Sequence, residues 1–117
     1  GVRIMGLEGS HWYNGGQHQY TEKQMARVIL KTKFKIWWHK GIDIVVSHAP
    51  PRHVHDGKDI CHKGFKCFRG LIKRYSPHYF LHGHMHSSFK NQKERETKVN
   101  KTDVINTFGY HVFDYIK

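Results

Sequence analysis

The chain has 117 residues, 38% of them hydrophobic and 14% aromatic, with a mean hydropathy of −0.71, which excludes a disordered polymer and fits one small polar-surfaced globular domain or part of one. Its longest apolar runs, such as 42–46, are far shorter than the ~20 residues that cross a bilayer, and no charged-then-apolar leader is present, so the expectation is a cytoplasmic protein with no membrane partner. The net charge of +11, from 20 Lys and Arg against 9 Asp and Glu, favours anionic partners such as phosphates or nucleic acid, or else marks the basic portion of a longer, better balanced protein.

Residues 2–7 (VRIMGL) read as a short strand that empties into a turn-rich loop through Asn14-Gly15-Gly16. Thr21 followed three residues later by Gln24 has the form of a capping box. Met25, Val28, Ile29, Phe34, Trp37 and Trp38 then recur at roughly helical spacing, which predicts one helix over 21–40, stopped by Gly41. Residues 42–46 (IDIVV) are β-branched and mostly apolar, as in a strand buried on both faces, and Pro50 and Pro51 forbid its continuation. Apolar positions at Phe65, Phe68, Leu71 and Ile72 predict a second helix over 64–75, ended by Ser76-Pro77.

A further strand over 78–82 (HYFLH) runs into Gly83-His84-Met85-His86. A strand, helix, strand order implies parallel strands joined by a right-handed crossover, which sets both histidine clusters at the C-terminal ends of neighbouring strands, where open α/β sheets bind ligands. Residues 89–101 are dense in charge and read as an exposed turn or hairpin arm, while 103–108 and 110–116, either side of Gly109, read as a closing antiparallel pair. The first strand starts at Gly1 without an initiator methionine, which suggests a chain cut from something longer.

Twelve histidines are the anomaly of the composition, and neutral imidazole is a common ligand for Zn, Fe, Ni and Cu. In His84-Met85-His86 the two rings share a side only in extended or loop backbone, so a strand end suits a metal site there better than a helix does. Gly83 permits close approach of the backbone. Cys61 and Cys67 match neither a redox pair nor a usual zinc pair and read as reduced thiols; with His62 they imitate a zinc knuckle, but no fourth ligand is evident.

An apolar strand ending in Ser47-His48-Ala49-Pro50-Pro51, a helix, and a strand ending in His82-Gly83-His84-Met85-His86 together resemble the second half of the calcineurin-like metallophosphoesterases. The upstream Gly6-Leu7-Glu8-Gly9-Ser10 and the segment 102–110 (TDVINTFGY) are similar to what surrounds these motifs in that family. The resemblance implies an α/β fold, with residues 1–117 forming the C-terminal part of a single metallophosphoesterase-type α/β sandwich with a mixed sheet. It also implies a metal-dependent phosphoesterase with a dinuclear centre of two divalent ions (Mn2+, Fe2+ or Zn2+). His48 and His84 would bind one metal and His86 the other, with His82 packed behind them or orienting a neighbour and His78 and His111 structural or exposed.

The family's D-x-H, G-D and G-N-H segments do not occur in this sequence. Three neutral imidazoles cannot hold two dications together, so the chain alone is expected to be inactive and to need the N-terminal half of the same domain as a partner, or to associate with itself. The substrate implied is a phosphomonoester or phosphodiester, a nucleotide or nucleic acid among the candidates, and Arg52 and His53, which follow His48 closely, are the candidate contacts to its phosphate. Two other readings are kept. One is a basic nucleic-acid-binding module using the lysines of 23–40 and 90–101 with Tyr13, Trp37 and Trp38 as stacking platforms; the other is a noncatalytic scaffold that retains the fold.

Overall fold

β-Branched and apolar residues in short runs form strands, and Gly, Pro and Asn end them. A computed structural model of the chain describes residues 1–57, 62–84 and 95–115. In chain order the elements are β1 (Ile4–Leu7), β2 (Ser10–His11), β3 (Gln19–Tyr20), α1 (Glu22–Lys31), α2 (Lys33–Trp38), β4 (Ile44–Ser47), α3 (Lys66–Tyr75), β5 (Tyr79–His82), β6 (Glu96–Val99) and β7 (Thr102–Asn106). Five strands make a mixed sheet in the order β1-β4-β5-β7-β6, with β2 and β3 forming a small separate ladder. β1, β4, β5 and β7 run parallel, and β6 is antiparallel to β7. The α/β sandwich with a mixed sheet expected of this sequence is therefore present as a partial layer structure.

The register explains the core. Met5, Val45, Phe80 and Val104 are successive partners across the parallel strands, and on that face Met25 of α1 and Phe68, Leu71 and Ile72 of α3 join them in one buried cluster. Each such side chain contributes about 1.5–3 kcal/mol by leaving water. Because all these strands point the same way, the ends of β4 and β5 come out side by side.

Helix α1 begins as the sequence predicts. Gln24 N–H donates to the Thr21 hydroxyl at 3.2 Å and the Gln24 side chain accepts from Thr21 N–H at 2.8 Å. The expected single helix over 21–40 instead breaks at Thr32, whose hydroxyl donates back to Ile29 O at 2.6 Å and whose N–H also turns to Ile29 O, a local bond that tightens and ends the turn. The short α2 buries Ile36 and leaves Phe34, Trp37 and Trp38 exposed, so those three aromatics are not part of a core stripe.

Helix α3 has no side-chain cap of its own. Glu22 supplies one from α1, its two carboxylate oxygens accepting from Lys66 N–H at 2.8 Å and Cys67 N–H at 2.9 Å. At the opposite end of the sheet the buried Asp43 is gripped by Arg3, with Nη2 and Nε each donating at 2.9 Å, and Arg3 Nη1 donates to the carbonyls of His39 and Lys40 just past the end of α2.

The C-terminal pairing differs from the expectation. β7 takes β5 and β6 as its neighbours, and 110–115 form no strand among the described residues. Asn100, at φ 55, turns β6 into β7, so the charged arm itself provides the antiparallel partner. The apolar residues beyond Gly109 are used differently: Phe113 and Tyr115 lay their rings on Tyr79 at 4.7 and 5.9 Å.

Candidate metal centre at the strand ends

β4 delivers Ser47 and His48, and β5 delivers His82, Gly83 and His84, to one edge of the sheet. The two loops are tied together: His48 N–H donates to Leu7 O at 3.3 Å and Gly83 N–H donates to His48 O at 3.1 Å. Ser47 is buried and turns the chain by donating to Ala49 O at 2.6 Å, which aims His48 outward ahead of the two prolines. His84 adopts φ 68, a left-handed conformation that costs a non-glycine residue about 1 kcal/mol and is often kept for function.

The outcome is convergence. Nε2 of His48 lies 2.7 Å from Nδ1 of His84, with ring centroids 4.4 Å apart. At this distance one ring nitrogen donates to the other. Around a tetrahedral zinc with bonds of 2.0–2.1 Å two nitrogens sit about 3.3 Å apart, so a few tenths of an ångström of side-chain movement separates this arrangement from a shared ligand pair. The donor chemistry fits a divalent ion. Among the described residues no group of three or more His, Cys, Asp or Glu side chains is arranged to hold a metal, and His86 lies outside the described residues. His62 joins the pair, its ring stacked on His84 at 4.7 Å.

Behind this pair sits His82, almost fully buried. Its Nδ1 is 3.1 Å from Gly83 O; a carbonyl only accepts, so Nδ1 carries the proton and Nε2 accepts from Nδ1 of His55 at 3.0 Å. Nε2 of His55 in turn accepts from the Thr97 hydroxyl at 2.6 Å. Burial pushes His82 down to about 4 and also lowers His55, so both rings are neutral at pH 7. His82 is thus packed and hydrogen-bonded beside His48 and His84, as the sequence reading of a packed residue expects.

Arg52 and His53 follow on a loop whose ends are sewn together. Phe65 N–H donates to Pro50 O and Arg52 N–H to Phe65 O, each at 3.1 Å. Gly64 is required at this closure, because a Cβ there would stand 2.3 Å from Pro51 O. The Arg52 side chain, 13% exposed, is committed to the loop: Nε donates to Gly64 O at 2.8 Å and Nη2 lies 3.2 Å from Nε2 of His11. His53 is exposed at φ 65 and, with Arg52, Asp56, Gly57 and Lys63, lines a shallow cavity of about 410 Å3.

Sequence reasoning set the loop that carries His55 over this edge without pairing His55 with His82, and it read His62 with the cysteines instead of with His84. The partners of His62 and His55 lie 22 and 27 residues away in sequence, and no local spacing encodes such contacts. Cys67 is a free thiol pushed upward by burial and by Glu22, which disfavours the thiolate a zinc knuckle needs. Cys61 lies outside the described residues. His78 is exposed, and the His111 ring sits 3.4 Å from Glu96.

Among the described residues no helix is long and apolar enough to cross a membrane. No curated protein matches the chain significantly. A solved crystal structure superposes with a TM-score of 0.57 at 20% identity over 89% of this chain, a likeness that shows the fold. The chain spans 39% of that protein's length. The family model for calcineurin-like phosphoesterases matches residues 5–88, a span that includes both strand-end histidine segments. The chain belongs to the calcineurin-like phosphoesterase family, whose members are in general metal-dependent phosphoester hydrolases.

Proposed function

We propose that this chain forms one wall of a two-metal phosphoesterase site, with His48 and His84 holding one divalent cation and His86 serving the second. The observation that carries the reading is the 2.7 Å approach of His48 Nε2 to His84 Nδ1 across two adjacent strand ends. Bound cations of the Mn2+, Fe2+ or Zn2+ type would supply water activation and charge neutralisation on a phosphomonoester or phosphodiester, nucleotides and nucleic acids included. The chain's own residues bind and orient. Gly83 N–H donates to His48 O and the His82 ring bonds Gly83 O, which fixes the turn leading into His84, and His53 and Lys63 line the adjacent cavity where a substrate phosphate would lie, while Arg52 braces the loop that presents them.

The other wall belongs to further chain of the same domain, in this proposal. The sheet face opposite α1 and α3 carries Ile4 and Val46 exposed, an apolar surface suited to a second layer, and the carboxylates a dinuclear centre needs would come from there.

Hydrolysis of p-nitrophenyl phosphate and of its bis-ester tests this reading, with added Mn2+ and with chelator. The 117-residue chain should show no useful turnover, and the same residues joined to the rest of the domain should show chelator-sensitive turnover that His48→Ala reduces at least 100-fold. A joined enzyme indifferent to His48→Ala would sink the ligand assignment. Robust turnover by the short chain would sink the shared-wall argument.

A further inference from the structure

Helices α1 and α2 present a surface that neither the core nor the strand-end site uses. Leu30, Phe34, Trp37 and Trp38 are 65–70% exposed, although they fall at positions i, i+4, i+7 and i+8 of a nearly continuous helical path. Only Thr32 separates the two helices, and it keeps right-handed helical backbone at φ −87 and ψ −7. The rings cluster with one another instead of with the core: Phe34 to Trp38 is 6.2 Å, Phe34 to Trp37 is 5.9 Å and Trp37 to Trp38 is 6.5 Å between centroids. Exposing so much aromatic surface costs several kcal/mol relative to burying it, since a large apolar side chain gains about 1.5–3 kcal/mol by leaving water.

The charge around this cluster is of one sign. From residue 23 to residue 42 there is no Asp or Glu, while Lys23, Arg27, Lys31, Lys33, Lys35 and Lys40 are all exposed. The patch is also held rigid where it ends, by Arg3 on the carbonyls of His39 and Lys40. A second copy of this chain would bring the same positive field against it and be repelled. An anionic occupant that accepts a protruding apolar knob complements this face in charge and shape.

We propose that this face docks peripherally on an anionic phospholipid surface, with Phe34, Trp37 and Trp38 entering the headgroup region and the surrounding lysines meeting lipid phosphates and carboxylates. Tryptophan beside lysine on a short helix is the composition that settles at such an interface, and each Lys or Arg near an anionic leaflet adds about 1 kcal/mol. Single-stranded nucleic acid shares the charge but is favoured less by the geometry. The three rings contact each other, which leaves no slots between them for bases. The expectation of no membrane partner, drawn from the lack of a spanning run, concerned crossing; lying on a surface is a different demand.

Cosedimentation of the 117-residue chain with vesicles of phosphatidylcholine containing 30% phosphatidylserine tests the proposal, beside pure phosphatidylcholine vesicles and oligo(dT). Binding to the mixed vesicles, weakened by 0.5 M salt and accompanied by a blue shift of tryptophan emission, is expected. Trp37→Ala with Trp38→Ala should weaken it at least tenfold, and Lys33→Gln with Lys35→Gln about 30-fold, at about fivefold per lysine. All four positions are exposed, and circular dichroism melts should confirm that the variants remain folded. Absence of binding to the mixed vesicles, equal binding to pure phosphatidylcholine, tighter binding to oligo(dT), or indifference of the lipid affinity to the paired Trp substitution would each overturn it.

Discussion

Nε2 of the buried His82 accepts a hydrogen bond from Nδ1 of His55 at 3.0 Å, across a loop that closes over the strand end. Both rings are neutral in the fold because burial disfavours the imidazolium. Unfolding releases them to their ordinary value near 6.5, so between there and about 4 the unfolded chain binds more protons than the folded one. Stability is then fully present above pH 6.5 and is lost as the pH falls. At pH 4.5 the His82 contribution to that loss is on the order of 2–3 kcal/mol relative to pH 7.5. Thermal melts in chelator at the two pH values should differ by roughly 10 °C, and His82→Asn should flatten much of the difference.

Glu22→Ala should cost about 1–2 kcal/mol in urea unfolding, because it strips the N-terminus of α3 of two accepted N–H bonds. Burial works to raise this carboxyl, but the backbone donors of Cys67 and Lys66 outweigh it and hold it below its ordinary value of 4.5. Its stabilisation is therefore present above pH 4.5 and disappears as the pH falls below it. An unchanged unfolding midpoint in the variant would show that α3 needs no cap.

Gly64→Ala is expected to destabilise by more than about 3 kcal/mol, since its Cβ meets backbone atoms of Pro51 and Arg52 at 2.3–2.6 Å and no side chain can step aside. The 52–64 loop should open as well. A Gly64→Ala variant that melts like the parent would mean that the closure is looser than the hydrogen bonds at Pro50 and Phe65 indicate.

Calorimetric titration with Zn2+ or Mn2+ should detect one weak site in the 117-residue chain. His48→Ala or His84→Ala should each reduce its affinity at least tenfold, because the two nitrogens lie 2.7 Å apart and would face one ion together. Imidazole must be neutral to ligate, so affinity should decline as the pH falls into the acidic range. Binding unaffected by both substitutions would redirect attention to His62 or to the cysteines.

The sheet and its histidine edge were legible because they are written in local pattern. Apolar runs at 42–46 and 78–82 with a helix between them dictate parallel neighbours, and the Ser47–Pro51 segment and Gly83-His84 then share one edge of the sheet. The break at Thr32 was not legible, because a single threonine is compatible with a continuing helix until its hydroxyl finds Ile29 O. Periodicity likewise placed Trp37 and Trp38 on an apolar face, but nothing in a pattern says whether a second layer arrives to cover that face. Strand pairing at the C-terminus went to the charged arm because the turn at Asn100 is closer than any partner beyond Gly109. The His55 and Thr97 contacts depend on loop paths far apart in sequence.

The two borders of the sheet are chemically unlike. β6, at one border, alternates Glu96 and Lys98 around Thr97, all exposed, and charges on an outermost strand discourage the docking of foreign backbone. β1, at the other, shows Ile4 to solvent, as does Val2 just before it, beside a hollow of about 500 Å3 that Ile36 and Thr32 help to line. Growth of the sheet by strand addition is therefore one-directional: an incoming strand is rejected beside Lys98 and accepted beside Ile4, and misassembly on overexpression should begin at that side.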